Sequence, residues 1–389
     1  MRRLLLLASA MIFFDVAFFA AIAPLLPDYV SELDLSKAQA GVLSASYAAG
    51  TLIASLPAGF VASRTGPRRT VIAGLLLLGC SSLVFGLVHK IGLLDSARFT
   101  QGIAGALIWS GALTWLITAS PEDKRGSVIG TALGTAVAGA LLGPVLGALA
   151  ASIGTGPVFG SVLVVTCGLA FAASRLEESR VPERQTPREV SATIVSRPVR
   201  DAVVFVAVPS VMFGAIEVLV PLRIDALGGG HAVIAGGFIA GAAMEAVLAP
   251  LAGRWSDRVG RRAPYVVGLS ICAVAMVTIA VAQTLGVVLA SLMITSLGAG
   301  LCFAPALTLI SDIAESSRLH QGFAAGLSNM AWASGQVVGG VGGGVLASAT
   351  GNAPPSLVIA VLLMLTVLFA FRSLTMAPIP QAAESWVGQ

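Results

Sequence analysis

The stretch GFVASRTGPRR, residues 59 to 69, places two glycines and three arginines directly after a long apolar segment. A second copy of the pattern, GRWSDRVGRR, occupies residues 253 to 262 and begins 194 residues after the first. Glycine favours tight turns, and arginines at such a turn stabilise the C-terminal end of the preceding helix. The two copies therefore predict a chain built from two similar halves.

Apolar segments surround both copies. Of the 389 residues, 56% are hydrophobic and 11% are charged, whereas a soluble domain carries roughly 25% charged residues. A membrane-spanning helix needs about 20 mostly apolar residues. The predicted spans cover about 4–30, 38–62, 70–89, 93–119, 127–153, 155–175, 199–227, 231–256, 263–283, 285–313, 320–350 and 354–373. We predict an all-α integral membrane protein with 12 transmembrane helices in two pseudo-symmetric six-helix bundles.

Basic residues are distributed unevenly among the predicted loops. All but four of the 23 Lys and Arg residues lie at the N-terminus, in the even-numbered loops or near the C-terminal end. The exceptions are Lys37, Lys90, Arg98 and Arg223. Because cytoplasmic loops are enriched in Lys and Arg, we predict a multi-pass protein of the cell inner (plasma) membrane with both termini cytoplasmic. The same distribution accounts for the basic surplus without nucleic acid as a partner.

The most polar long stretch, LEESRVPERQTPREVSATIVSRP at residues 176 to 198, divides the chain nearly in half. We predict an N-terminal six-helix bundle over residues 1–175, a cytoplasmic linker over 176–198, and a C-terminal six-helix bundle with a short cytoplasmic tail over 199–389. Parallel six-helix halves with a site between them at mid-membrane are typical of one large class of transporters.

Over nearly its whole length the sequence resembles the major facilitator superfamily. The first copy of the glycine–arginine pattern is similar to that family's signature loop between helices 2 and 3. The resemblance implies a role in conformational gating for Gly59, Arg64, Gly66, Arg68, Gly253, Asp257, Arg258 and Gly260. The acidic position of the signature is Ser63 in the first copy and Asp257 in the second. This departure implies either a weaker latch in the first half or a latch carried by the second half.

Glycines recur every four residues in the fifth predicted span. Gly139, Gly143 and Gly147 follow Gly130 and Gly134, and this spacing permits close approach of another helix. Pro144 removes a backbone hydrogen bond and predicts a kink. The stretch GALLGPVLGA, residues 139 to 148, also resembles the glycine–proline motif of superfamily antiporters, with Ala148 at the final glycine position, and so implies gating and antiport. Ordinary close packing is the alternative. A related run, GQVVGGVGGG at residues 335 to 344, predicts a matching interface in the second half.

Three carboxylic acids lie near the middle of predicted spans. A charge at the bilayer centre costs at least ~2.5–3.5 kcal/mol on insertion scales, so such groups face water, form pairs or stay protonated. The acids are Asp15, Glu217 and Glu245, in the first, seventh and eighth spans. We interpret them as residues that bind substrate or protons. A structural hydrogen bond to a neighbouring helix is the alternative for each.

Further candidate residues come from the family resemblance. Arg98 opens RFTQG (residues 98–102), which resembles a helix-4 motif whose arginine takes part in proton coupling, although a position near the span's end also permits a role at the interface. Residues 305–317 and 326–336 are similar to helices 10 and 11 of drug and vesicular-amine exporters. They imply proton coupling by Asp312 and substrate or proton binding by Asn329, Trp332 and Gln336. The amine exporters carry an acid where Asn329 stands, which weakens the case for an amine substrate.

Patterns typical of enzymes and nucleotide-driven pumps are absent from the sequence, including H-E-x-x-H, G-x-S-x-G and the P-loop. We therefore expect no enzyme activity, no metal and no cofactor, with a proton gradient as the energy source. We predict a monomeric, proton-coupled antiporter that exports a small amphipathic or cationic organic compound by alternating access. Its partners would be the lipid bilayer, protons and that small molecule. The alternatives are an exporter or facilitator of a neutral metabolite such as a sugar, and a non-transporting sensor.

Overall fold

The computed structural model describes residues 2–121, 125–178, 194–316 and 321–373. Within these ranges the chain forms thirteen helices and no strands. They are α1 (Arg2–Ala20), α2 (Ile22–Glu32), α3 (Lys37–Thr65), α4 (Pro67–Leu87), α5 (Ile91–Ala119), α6 (Arg125–Ile153), α7 (Thr155–Ser174), α8 (Arg197–Ala226), α9 (His231–Val259), α10 (Arg262–Val281), α11 (Leu285–Ser316), α12 (Gln321–Thr350) and α13 (Ala353–Ser373).

The first predicted span is interrupted at Ala21, which separates α1 from α2. Pro24 causes this interruption because it has no backbone N–H for the carbonyl of Ala20 and its ring clashes with that carbonyl. The segment still crosses the membrane as one span over residues 2–32. The sequence analysis did not anticipate the interruption, which leaves carbonyl groups of α1 free for other partners.

Eleven spans within the described ranges are long and apolar enough to cross a membrane. The one predicted span outside these eleven, 320–350, corresponds to α12, which has 30 residues and a high content of glycine. This helix packs extensively against α3 and α8, so its composition suits contact with other helices more than contact with lipid. The prediction of an all-α membrane protein with twelve spans is confirmed.

The helices pack in the same pairwise pattern in both halves of the chain. In the first half α1 packs on α6, α3 on α5, and α4 on both α5 and α7; in the second half α8 packs on α12, α9 on α11, and α10 on both α11 and α13. One hydrophobic core comes from α1–α7 with Val218 added, and another comes from α8–α13. The domain boundaries remain a prediction, since residues 179–193 of the proposed linker and residues 374–389 of the tail lie outside the described ranges.

The two copies of the glycine–arginine pattern form equivalent turns, between α3 and α4 and between α9 and α10. Gly66 and Gly260 occupy the same position in these turns, with φ of +94° and +88°. Residues with a side chain rarely adopt such angles. We call the membrane side that carries these two turns the basic face, and the side that carries the α2–α3 and α12–α13 turns the opposite face.

The most extensive contacts between the halves join α3 with α12 and α6 with α9, and smaller ones join α5 with α12, α2 with α8 and α9, and α3 with α8. The α3–α12 pair is in contact near both membrane faces. Near the opposite face, a Cβ atom added to Gly41 would collide with the carbonyl oxygen of Gly340. Near the basic face, the rings of Phe60 and Phe323 meet edge to face with centroids 4.8 Å apart. The α3–α12 contact therefore closes one side of the space between the halves.

Candidate functional site

The glycine face of α6 holds α1 in place. Added Cβ atoms on Gly139 and Gly147 would collide with the carbonyl oxygens of Phe13 and Ala21, and one on Gly143 would lie 2.5 Å from the Cβ of Ala20. These glycines therefore pack on the interruption between α1 and α2. Pro144 does not end the helix, since α6 continues to Ile153.

The predicted extension of this face to Gly130 and Gly134 was wrong. No atom of another helix lies within 4 Å of a Cβ atom placed on either residue. The matching interface predicted in the second half is present, because Gly335 and Gly339 of α12 pack on the backbone of α8 at Ala207 and Val211. Glycines therefore support the first helix of each half in the same way.

Asp15 of α1 is buried near the middle of the first span, with 1% of its surface exposed. The hydroxyl of Tyr47 in α3 donates a hydrogen bond to the carboxyl group, 3.0 Å from both oxygens. The indole Nε1 of Trp109 in α5 donates a second one to Oδ2 over 3.1 Å. Gly105 leaves room for this contact, since a Cβ there would collide with the Tyr47 hydroxyl. Two donors therefore hold the carboxyl group of Asp15 between three helices.

Arg98 is also fully buried, with 1% of its surface exposed. Its guanidinium donates hydrogen bonds to the carbonyl oxygen of Phe19 over 3.3 Å and to Oε1 of Gln101 over 3.2 Å. The Phe19 carbonyl lies in the last turn of α1, where carbonyl groups lack helical partners and carry partial negative charge. The guanidinium lies 5.3 Å from the ring centroid of Tyr47. The alternative that Arg98 reaches the membrane interface is therefore excluded.

Glu217 of α8 belongs to the same region but has more access to solvent, since it is half-buried. Its carboxyl group interacts with the side chains of Gln336 in α12 and Ser44 in α3. Arg98 is close enough to interact electrostatically with both Glu217 and Asp15. No ion pair within 4 Å joins Arg98 to either acid in the described ranges. We call Asp15, Tyr47, Arg98, Trp109 and Glu217 the central cluster.

Aromatic rings line one side of the central cluster. The ring of Phe19 lies 4.8 Å from that of Tyr47 and 5.3 Å from that of Trp332, measured between centroids. The structure thus brings two of the three predicted α12 residues, Trp332 and Gln336, to the cluster. Asn329 lies about two turns from Gln336 on α12 and is half-buried.

Glu245 lies apart from the central cluster. It belongs to α9 and lies beside Gly300 of α11, where an added Cβ would be 3.5 Å from the Cα of Glu245. Within the described ranges, Glu245 makes no hydrogen bond or ion pair. The three acids therefore have different surroundings, although the sequence analysis gave them one role.

Asp312 lies outside the central cluster, near the end of α11, and its role in proton coupling stays a prediction. Its Oδ2 accepts hydrogen bonds from Nη2 and Nε of Arg261 over 2.8 and 3.1 Å. Arg261 also lies 3.7 Å from the carboxylate of Asp257. Asp312 therefore anchors the α9–α10 turn to the end of α11 at the basic face. Sequence analysis missed Arg261 because only the fold brings it to α11.

The first-half turn uses a different anchor. Ser63 donates only a local hydrogen bond to the carbonyl of Phe60. Arg68 instead donates to the carbonyl of Leu176 over 3.0 Å and lies 3.3 Å from the carboxylate of Glu178. Among the other gating candidates, Gly59 is buried within α3. Arg64 and Arg258 are exposed. A Cβ atom added to Gly253 would have no atom of another helix within 4 Å.

A set of polar contacts joins the halves at the opposite face. A ring nitrogen of His231 lies 2.7 Å from Oδ1 of Asp28, and Nζ of Lys37 donates to Oδ1 of Asn352 over 2.6 Å. The sequence analysis did not single out these residues, because their partners are 203 and 315 positions away in the chain. We call these two contacts the opposite-face gate.

Removal of the charge on Asp28 is expected to loosen this gate. Partly exposed ion pairs contribute up to about 1 kcal/mol, so Asp28→Asn is expected to raise access to the space behind the gate about two- to fivefold. The measurement is the labelling rate of a Ser44→Cys variant, in a background without native cysteines, by a membrane-impermeant maleimide. Glu32→Gln, an exposed acid in the same helix, is the control. Equal labelling rates in both variants would contradict the gate.

Tyr47 and Trp109 are the main partners that sequence reasoning missed. Neither residue was singled out from the sequence. The chain has only three tyrosines, and a phenol near the middle of a span needs a hydrogen-bond partner there. That requirement was the feature of the sequence that could have identified Tyr47 as a candidate.

Across the described ranges, no three His, Cys, Asp or Glu side chains are arranged to hold a metal ion.

Comparison with known proteins identifies related families and folds. The profile described as Major Facilitator Superfamily matches residues 5–245 and 227–386, which is nearly the whole chain. The crystal structure of a D-xylose-proton symporter aligns with a TM-score of 0.74 at 17% sequence identity and covers 96% of this chain and 97% of that one. At this identity the likeness shows the shared fold alone.

Curated relatives match over shorter stretches. The MFS-type transporter ppzB of Metarhizium majus is 28% identical over 173 residues, which cover 42% of this chain and 34% of ppzB. The quinolone resistance protein NorA of Staphylococcus aureus is 26% identical over 109 residues, 28% of each chain. Multidrug resistance protein 2 of Bacillus subtilis is 28% identical over 109 residues, 28% of this chain and 27% of that protein. The chain thus spans about a third or less of the length of the curated relatives it matches.

Proposed function

The chain belongs to the Major Facilitator Superfamily, and we propose that it is a proton-coupled antiporter that exports a small amphipathic or cationic organic compound. The central cluster carries this proposal. Asp15 and Glu217 come from the first helix of each half, and Arg98 interacts with both of them. An acid that gains and loses a proton at mid-membrane changes the net charge of this cluster, and the change can favour one arrangement of the halves over the other.

The packing between the halves suits alternating access. The α3–α12 contact runs from one face to the other, and the opposite-face gate joins the halves through polar contacts that are only partly buried. Such contacts are weak enough to open. Of the anchors of the basic-face turns, Arg261 with Asp312 stays within the second half, and Arg68 with Glu178 joins the first half to the start of the proposed linker. They hold the turns in shape while the halves move.

The glycine face of α6 supports antiport by placing α1 against the cluster without side chains between the helices. We propose that α1 and α6 move as a unit, which agrees with the resemblance to the antiporter glycine–proline motif. We further propose that the protein works as a monomer in the plasma membrane, with both termini cytoplasmic, and uses the proton gradient without a cofactor.

The names of the relatives favour two substrate classes. Quinolone resistance and multidrug resistance proteins support export of amphipathic organic compounds. The fold neighbour is a sugar–proton symporter, which keeps a neutral metabolite as the second candidate. The presence of acids at mid-membrane favours the first class, because a neutral sugar does not require negative charge in its binding site.

The experiment that tests the proposal uses purified full-length protein reconstituted in liposomes with a pH gradient. Tetraphenylphosphonium, an amphipathic cation, and xylose, a neutral sugar, are added separately, and proton flux is followed with a trapped pH-sensitive dye. We expect the cation to cause proton flux in the direction opposite to its own movement. Flux with xylose alone would support the second candidate, and cation movement without proton flux would contradict antiport.

A further inference from the structure

Glu245 faces the interior of the protein and not the lipid. The exposed residues of α9 include Gly236, Ala240, Ala243 and Val247, which are three or four positions apart and mark the lipid-facing stripe. Glu245 lies two residues from both Ala243 and Val247, about 200° around the helix from each. It is nevertheless half-buried and not fully buried, so part of its surface stays accessible on the side of α9 away from this stripe.

The neighbours of Glu245 leave its carboxyl group available. Small groups bring α9 and α11 together on both sides of this position, since an added Cβ on Gly241 would lie 2.5 Å from Oγ of Ser296 and one on Gly300 would lie 2.9 Å from Cβ of Leu248. Asp15 receives hydrogen bonds from a phenol and an indole, whereas no described residue donates to Glu245. A charged carboxylate at this depth needs a proton or a cationic partner.

An aromatic pair joins α8, the helix of Glu217, to α11, the helix that packs beside Glu245. The rings of Phe213 in α8 and Phe303 in α11 meet edge to face, with centroids 5.3 Å apart, and both residues are half-buried. Phe213 precedes Glu217 by four residues, and Phe303 follows Gly300 by three, so each pair shares a helix face. The two rings therefore lie on the face of α8 that carries Glu217 and on the face of α11 that packs beside Glu245.

We propose that Glu245, Phe213 and Phe303 form a binding subsite for an organic cation with aromatic or bulky apolar groups around its charge. The carboxylate attracts the charge, and the ring faces contact the apolar groups and add a cation–π attraction. The subsite lies in the second half of the chain and is distinct from the central cluster. This proposal rests on the proposed function and deepens it. It assigns substrate binding to Glu245 and distinguishes that acid from Asp15, whose carboxyl group accepts hydrogen bonds within the protein.

The subsite is tested by equilibrium binding of tetraphenylphosphonium to the full-length protein in lipid nanodiscs. Glu245→Gln is expected to weaken binding about 10- to 100-fold, the range typical of loss of a charged partner. Phe303→Leu is expected to weaken it a few-fold through loss of the cation–π contact. Asp225→Asn, an exposed acid at the end of α8, is the matched control and is expected to bind as the wild type does.

Two further measurements separate loss of the charge from loss of the fold. Glu245→Asp keeps the carboxylate and is expected to recover most of the affinity. Triphenylphosphine oxide, an uncharged relative of the probe, is expected to bind wild type and Glu245→Gln alike. The subsite is overturned if Glu245→Gln binds tetraphenylphosphonium with wild-type affinity. It is also overturned if this variant loses affinity for the charged and the uncharged probe equally. The absence of saturable binding of the cation to the wild type would overturn it as well.

Failure of the subsite is distinguishable from failure of the proposed function. Binding that depends on Glu245 without any proton flux in liposomes would support the subsite and contradict antiport. Proton-coupled flux that keeps its concentration dependence in Glu245→Gln would support antiport and overturn the subsite. Loss of tetraphenylphosphonium binding in both Glu217→Gln and Glu245→Gln would contradict a subsite distinct from the central cluster.

Discussion

Replacement of Gly339 by leucine is expected to prevent the chain from folding, whereas the same change at Gly342 is expected to be tolerated. A Cβ atom on Gly339 would collide with the carbonyl oxygen of Val211 and lie 2.8 Å from its carbonyl carbon, both in the backbone of α8. Backbone atoms of a packed helix cannot move aside without separating the two helices. Gly342 is exposed on the same helix and has no atom of another helix within 4 Å of an added Cβ.

The expected size of the effect follows from the packing. Overpacking costs about 1–3 kcal/mol for extra methylene groups that side chains can accommodate, and a leucine against backbone exceeds this. We expect Gly339→Leu to yield little or no monodisperse protein in detergent. Gly342→Leu is expected to keep the yield and the melting temperature of the wild type. Similar yields of the two variants would show that the glycine interface between α8 and α12 does not hold the second half together.

Asp15→Asn is expected to abolish proton-coupled transport while leaving the fold intact. The amide oxygen of asparagine can still accept the hydrogen bonds from Tyr47 and Trp109, so the contacts among α1, α3 and α5 persist. The amide cannot gain or lose a proton in the physiological range. We expect transport driven by a pH gradient to fall on the order of 100-fold, as is typical when a proton-transferring side chain is removed.

The measurement is the rate of cation-dependent proton flux in liposomes, with the melting temperature as a check on folding. Tyr47→Phe is the matched control, because it keeps the carboxyl group of Asp15 and removes one donor. We expect a smaller effect from it, corresponding to about 1–3 kcal/mol for a buried group left without its partner. Wild-type proton flux in Asp15→Asn would instead assign this acid a structural role, the alternative that the sequence left open, and would leave Glu217 or Glu245 to carry the proton.

Much of the fold could be predicted because it depends on local properties of the chain. The length of each apolar segment predicts a span, and the repeated glycine–arginine pattern predicts equivalent turns. Gly66 and Gly260 have matching backbone angles for that reason. The interruption at Ala21 was missed although Pro24 is visible in the sequence, because a proline inside an apolar segment predicts a kink without specifying whether the helix resumes.

The candidate site was predicted less completely. Depth within a span can be counted along the sequence, so Asp15, Glu217 and Glu245 were identified as acids at mid-membrane. The residues that surround each acid cannot be identified from its position along the sequence. Hydrogen bonds to Asp15 come from residues 32 and 94 positions away in the chain. The sequence places Asp312 near the end of a span without indicating that Arg261 lies beside it.

The sequence by itself determined that this is a helical membrane protein with two similar halves, with acids at mid-membrane and glycines where helices approach closely. Hydropathy, charge and side-chain size are properties of each residue, and a membrane helix has a fixed rise per residue, so these features follow from position alone. Only the tertiary structure decided which acid is satisfied by hydrogen bonds, which ones stay partly accessible, and where Arg98 binds. Those outcomes depend on the rotation and height of each helix relative to its neighbours, which are set by packing across the whole bundle.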